Sequence, residues 1–160
     1  MLKILIVEDD RELRQLFTHV LLKNGYTVKG VSNGQEGLDA LEGSYFDLII
    51  CDVMMPVMDG FEMVRQLRQS GSSIPVLMVT AKDTFDDLRE GFLAGSDDYM
   101  IKPVNVNEMG LRVGALLRRA QMINERRQVI GNTVLECDSL TVTVDGESSI
   151  LPQKEFMLLY

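Results

Sequence analysis

Between Lys3 and Arg119, short apolar runs alternate with longer stretches of helical periodicity, and this alternation restricts the possible folds more than any other feature. The runs are KILIV, YTVKGV, LIIC, VLMVT and YMI. A short aliphatic strand followed by an amphipathic segment, repeated, is the pattern of βαβ units, whose helices cover a parallel sheet. In the first intervening segment Leu13, Leu16, Phe17, Val20 and Leu21 recur at three-and-four spacing. It stops at Asn24-Gly25, a pair suited to end a helix because both residues tolerate left-handed backbone. Phe61, Val64 and Leu67 repeat the pattern, and Leu88, Phe92 and Leu93 follow it less regularly. Asn105 with Glu108 reads as a cap opening a last helix through Leu111, Leu116 and Leu117. The expectation is an α/β fold: a doubly wound five-stranded parallel sheet with helices on both faces.

Beyond Arg119 the character changes. Residues 121–128 are polar and charged, while VIGNTVLECDSLTVTVDGESSI alternates Val, Thr and Leu, with Asp145-Gly146 as a hairpin turn. This predicts a short antiparallel β segment. LPQKEFMLLY then places Pro152 at a helix start and Phe156, Leu159 and Tyr160 on an apolar stripe with no C-cap after it, as in a helix cut in mid-course. The 160 residues carry 16 basic and 24 acidic side chains, a formal charge of -8, which opposes a large nucleic-acid surface. Residues 121–160 offer only Arg126, Arg127 and Lys154 against six acids. The longest apolar stretch, LIICDVMMPVM, is interrupted by Asp52 and Pro56, and the N-terminus has no signal-peptide pattern, so no membrane segment and a cytoplasmic location are expected. Cys51 and Cys137 form neither a disulfide framework nor a metal spacing, and the ten methionines read as core filler.

In an open parallel sheet, ligands gather outside the carboxyl ends of the strands. The residues just after the apolar runs therefore matter most: Glu8, Asp9 and Asp10, then Asp52, Thr80 and Lys102. Right-handed crossovers bring all of them to one edge. Carboxylates crowded there repel one another and demand a counter-charge, which a hard divalent cation such as Mg²⁺ supplies through oxygen ligands. Lys102 adds a point charge for a phosphoryl oxygen. Each residue alone has an ordinary explanation: an acid after a strand commonly caps the next helix, the role expected of Asp10, and a Lys before Pro is commonly a solvated loop residue. Four strands presenting such residues at one edge is not ordinary, and it equips the site for phosphoryl chemistry at a carboxylate. His19, among apolar neighbours and without a partner histidine, reads as structural.

ILIVEDD, LIICDVMMPVMDG around Asp52, VLMVTAK at Thr80 and GSDDYMIKP at Lys102 together resemble the receiver domain of two-component response regulators, a flavodoxin-like fold, over about 120 residues. The segment after it resembles the opening of an OmpR/PhoB-type winged-helix effector domain, without a recognition helix. The resemblance implies a receiver over residues 1–120, a linker over 121–130, and over 131–160 the β-platform and first-helix start of a DNA-binding domain. It makes Asp52 the phosphoacceptor, charged by a sensor histidine kinase. Mg²⁺ would be held by Asp9, by Glu8 through water, by Asp52 and by the backbone carbonyl of Met54. Lys102, Thr80 and Ala81 would contact the phosphoryl group, Thr80 and Tyr99 would switch, and the bond before Pro103 would be cis. The protein would be a switch rather than an enzyme, with slow self-dephosphorylation at most. Phosphorylation would favour a homodimer, and DNA would be read only by sequence beyond these residues, with Gln153 to Tyr160 disordered or packed on another chain.

Two departures stand out. Lys102-Pro103-Val104 replaces the family's lysine-proline-phenylalanine run. More consequential is Glu90: a basic residue in that place commonly pairs across a dimer with the acid matching Glu108, and two acids would repel. Asp98 with Arg112, the other usual pair, is retained. Two other classes share the fold. An aspartyl-phosphate phosphohydrolase needs a second acid two residues after the nucleophile, where this chain has Met54. A flavin- or nucleotide-binding module needs a Gly-rich or hydroxyl-rich phosphate loop after the first strand, where Glu8-Asp9-Asp10 would repel the phosphate.

Overall fold

The computed structural model describes the backbone of residues 1–126, 128–130, 133–136, 141–144 and 147–150, and side chains through residue 123. The chain divides into two compact units, Met1–Leu117 and Arg118–Tyr160. In the first, strands β1 (Lys3–Val7), β2 (Thr27–Val31), β3 (Leu48–Cys51), β4 (Val76–Thr80) and β5 (Asp98–Ile101) alternate with helices α1 (Arg11–Lys23), α2 (Gly34–Gly43), α3 (Gly60–Gln69), α4 (Phe85–Ala94) and the first part of α5 (Val106–Arg126), which runs past the division at Leu117. All neighbouring strands are parallel, in the order β2-β1-β3-β4-β5. Strand order reverses between β1 and β3, and that reversal opens a crevice at their carboxyl ends.

Alternate strand residues face opposite layers, as a period of two requires. Leu5, Val7, Ile49, Cys51 and Met78 pack with Phe61, Met63, Val64 and Leu67 of α3 and with Ala40 of α2. Ile4, Ile6, Leu48, Ile50, Leu77 and Val79 pack with Phe17 and Leu21 of α1 and with Met109, Val113, Leu116 and Leu117 of α5. Met63, Met78, Met100 and Met109 fill core space, and Cys51 is buried.

The helices start and stop where short-range chemistry directs. Asp10, Asn33, Asp59 and Thr84 each cap a helix by accepting from a first-turn N–H, and Asn24 ends α1 as expected. Asn105 accepts from the N–H groups of Asn107 and Glu108, so it too works as a cap. The Glu108 carboxylate bonds Arg112 instead of completing a capping box.

Burial differs from the sequence reading at several positions. Leu16, Phe92, Leu93 and Leu111 are solvent-exposed, as is His19. On α4 the inner positions belong to the small residues Gly91 and Ala94. A Cβ at Gly91 would stand 3.0 Å from the Tyr99 ring and 3.4 Å from that of Phe61, so aromatic rings from β5 and α3 already occupy the space a larger helix residue would need.

In the second unit β6 (Gln128–Ile130), β7 (Thr133–Glu136), β8 (Thr141–Val144) and β9 (Glu147–Ile150) form an antiparallel sheet in sequence order. The span 121–130, expected to be a linker, holds the end of α5 up to Arg126 and then β6. Val144 pairs with Glu147 across the expected turn, while Asp145-Gly146, Cys137 and the segment LPQKEFMLLY lie outside the described residues. No helix among the described residues is long and apolar enough to cross a membrane.

Candidate functional site

The crevice collects the residues at the carboxyl ends of β1, β3, β4 and β5. Glu8 continues β1 by donating its N–H to the Val31 carbonyl at 3.0 Å, and Asp52 continues β3 by donating to the Val7 carbonyl at 2.9 Å. These ladder bonds make both backbones rigid, and both side chains are buried, Glu8 at 2% and Asp52 at 6% exposure. Asp9, the next residue, is exposed. Glu8, Asp9 and Asp52 present carboxylate oxygens that all lie within 4.8 Å of one another. The start of α3 closes the site from below: a Cβ at Gly60 would overlap the Asp52 carbonyl oxygen, so only glycine lets that helix approach so closely.

Lys102 supplies the opposing charge. Its N–H donates to the Thr80 carbonyl at 2.8 Å, and its Nζ donates to Glu8 Oε1 at 2.7 Å and Asp52 Oδ2 at 3.1 Å. The Lys102-Pro103 bond is cis. The other Asp52 oxygen, Oδ1, accepts from the Val53 N–H at 2.7 Å. Thr80 is fully buried, and its Oγ1 accepts from the Lys82 N–H at 3.4 Å. Ala81 and Met54 are exposed, with the Met54 side chain directed to solvent. Tyr99 is buried and its hydroxyl donates to the Lys82 carbonyl at 2.9 Å.

Burial pushes the Glu8 carboxyl up to about 7, with repulsion from Asp52 adding to the rise and the Lys102 contact opposing it. Burial alone would lower Lys102, but its contacts with Glu8 and Asp52 together outweigh that and hold it above the ordinary lysine value. Burial likewise raises the Tyr99 phenol to about 12, which keeps it a hydrogen-bond donor. The site therefore joins a buried aspartate, a lysine held over it, and an all-oxygen donor set. One lysine against three carboxylates leaves net negative charge. Oxygen donors at this spacing fit a hard divalent cation such as Mg²⁺, which accepts a few carboxylates and retains waters.

Residues 4–113 match the family model described as the response regulator receiver domain. The chain belongs to this family. It is 38% identical over 160 residues to the heme response regulator HssR of Staphylococcus epidermidis, covering 100% of this chain and 71% of that protein. With the transcriptional regulatory protein CiaR of Streptococcus pneumoniae the identity is 40% over 159 residues, covering 99% and 70%. Among solved structures, the receiver domain of the Francisella response regulator 1452 superposes with a TM-score of 0.72 at 32% identity, over 74% of this chain and 98% of the other. Receiver domains are phosphoacceptor switches rather than ordinary enzymes, they typically bind Mg²⁺ in an acidic pocket, and response regulators receive their phosphate from sensor histidine kinases.

The fold brings Glu8, Asp9, Asp52, Thr80 and Lys102 to the one edge expected, while Asp10 serves α1. The charged residues assigned to a dimer contact make bonds within the chain. Arg112 donates to Asp98 at 2.9 and 3.0 Å and to Glu108 at 3.0 and 3.1 Å. Glu90 pairs with Arg65 of α3 at 2.9 Å. Neither Arg65 nor Arg14, whose guanidinium bonds the Glu8 carbonyl at 2.7 Å, was singled out by the sequence. Each sits on an amphipathic helix among other charges, and only the packing of that helix assigns it a partner.

Proposed function

We propose that this receiver accepts a phosphoryl group on Asp52 and that Glu8, Asp9, Asp52 and the Met54 backbone carbonyl hold the Mg²⁺ that assists. The observation that carries this reading is the Lys102 ammonium bridging two buried carboxylates, Glu8 and Asp52, beside a third carboxylate, Asp9. When bound, the cation supplies Lewis-acid stabilisation of the charge on the phosphoryl oxygens. The Asp52 carboxylate attacks phosphorus in line, and the bond from phosphorus to the donor atom breaks with its electron pair on the leaving group, which takes a proton from solvent. No base is needed, because an ionised carboxylate is already the nucleophile. Lys102 then leaves its carboxylate contacts for a phosphoryl oxygen, and exposed Ala81 leaves room beside the backbone.

Thr80 and Tyr99 are the switch pair. A Thr80 hydroxyl turned to the phosphoryl group gives up its bond from the Lys82 N–H, while the Tyr99 hydroxyl bonds the carbonyl of that same Lys82. New phosphate contacts thus bias the segment that joins β4 to α4. The phosphate is lost by slow hydrolysis, for want of an acid at Met54. Downstream, the reading is of a cytoplasmic response regulator, charged by a sensor histidine kinase, that forms a homodimer on phosphorylation. It controls transcription through a winged-helix domain to which residues 131–160 contribute the β-platform. The few basic residues after 120 support a reading in which DNA contacts are made outside this stretch.

The test is incubation with acetyl phosphate and Mg²⁺, followed by intact and peptide mass spectrometry. One phosphate is expected on the native chain and none on Asp52→Asn, whose amide is not an ionised nucleophile. Full incorporation in that variant, mapped to another residue, would refute the assignment.

A further inference from the structure

The peptide that joins Glu8 to Asp9 has a proposed cation ligand on each side, yet what holds its carbonyl lies outside the site. That carbonyl, from Glu8, accepts from Arg14 Nη1 at 2.7 Å. Arg14 is rooted in the first turn of α1, where its own N–H donates to the Asp10 carbonyl at 2.9 Å. Its aliphatic stem passes over β2 at Gly30: a Cβ there would stand 2.9 Å from Arg14 Cδ and 3.0 Å from Cγ. The stem is flexible, so a larger residue at position 30 would displace the arginine rather than the strand. Beyond the stem, Lys29, Ser32, Glu36 and Asp39 line a solvent-open groove with Arg14.

We infer that Arg14 is a positioning residue for the cation site, because by gripping the Glu8 carbonyl it fixes the plane of the Glu8–Asp9 peptide. Turning that plane changes ψ of Glu8 and φ of Asp9 together, and with them the directions in which the two side chains leave the backbone. Glu8 is doubly secured, since its N–H is bonded to Val31 and its carboxylate to Lys102. Asp9 has an exposed side chain and depends most on the peptide before it. The inference rests on the reading of Glu8, Asp9 and Asp52 as the Mg²⁺ ligands. Groups that orient metal ligands typically change affinity about 10- to 100-fold when removed.

Charge alone predicts the opposite sign. Removing a nearby cation from an acidic cluster should tighten binding of another cation, whereas losing the grip on the peptide should weaken it. Titration calorimetry with Mg²⁺ on the whole chain separates the two, using Arg14→Met, Arg14→Lys and Gly30→Ala. The Mg²⁺ Kd should rise about tenfold in Arg14→Met. It should also rise in Arg14→Lys, which keeps the charge but not the reach, and in Gly30→Ala, which keeps the guanidinium but moves it. In metal-free protein the Asp9 amide resonance should shift in all three. A Kd that is unchanged or lower in Arg14→Met would overturn the inference. So would a native Kd in Gly30→Ala despite a displaced Asp9 amide, and Gly30→Ala decides the matter should Arg14→Met fail to fold. A native chain that takes up no Mg²⁺ would instead overturn the cation reading, and an unmoved Asp9 amide in every variant would then overturn the role of Arg14 on its own.

Discussion

Glu8→Gln should stabilise the metal-free protein, and do so only where the native residue would be ionised. The Glu8 carboxyl moves from 4.5 to about 7 on folding, chiefly through burial. At about 1.4 kcal/mol per pH unit, that displacement corresponds to about 3 kcal/mol. The sign follows from linkage. The folded state holds the Glu8 proton more tightly than the unfolded chain does, so the contribution to stability is complete below pH 4.5 and is lost as pH rises through about 7. Glutamine is a neutral near-isostere of the protonated acid and does not titrate. The variant should therefore differ from the native chain by less than about 1 kcal/mol near pH 5 and exceed it by about 3 kcal/mol near pH 8. Groups that do not touch Glu8 titrate alike in both proteins and cancel, and Lys102, held above the ordinary lysine value, keeps its charge throughout this pH range. The assay is urea unfolding in EDTA followed by far-ultraviolet circular dichroism, since the sequence has no tryptophan to report by fluorescence. Saturating Mg²⁺ should narrow the gap, because it gives the ionised native carboxylate a counter-charge. A stability difference that does not change with pH, or a Gln variant less stable than native near pH 8 in EDTA, would refute the argument.

Asp9→Ala removes the one exposed member of the acidic cluster, and Mg²⁺ titration should show affinity falling by more than about tenfold with little change in stability. Val57, a β-branched residue at φ 69 and 83% exposed, bears backbone strain without packing in return. Val57→Gly should raise stability by about 1 kcal/mol, read as a higher urea midpoint at unchanged slope. Glu90→Lys should release Arg65 and place a cation where the proposed dimer meets Glu108, so sedimentation of the beryllofluoride-treated protein should show dimerisation strengthened about fivefold, on the scale of exposed ion pairs. Equal dimerisation would show that the geometry of this contact is not the one assumed.

The succession of strands and helices was legible in the sequence because each element carries its own signal: aliphatic runs for β1 to β5, and cap residues such as Asp10, Asn24 and Asn105 at helix ends. These signals are local, and the parallel sheet with its reversal between β1 and β3 follows from them through the handedness of crossovers. The candidate site was legible for the same reason, since Glu8, Asp52 and Lys102 are each the first residue after a strand and Thr80 is the polar residue that closes one. What the tertiary structure alone decided is which charges meet. Arg14, Arg65 and Arg112 look alike in sequence, as long cationic side chains on helices, yet one holds a backbone carbonyl, one binds Glu90 and one bridges Asp98 and Glu108. The outward turn of Phe92, Leu93 and Leu111 was hidden likewise, because helical periodicity shows a stripe but not which edge of it the neighbouring layer has room to cover. Periodicity and capping act within a few residues of chain, whereas a charge partner or a packing space is supplied by a segment tens of residues away, and only the assembled layers fix its distance.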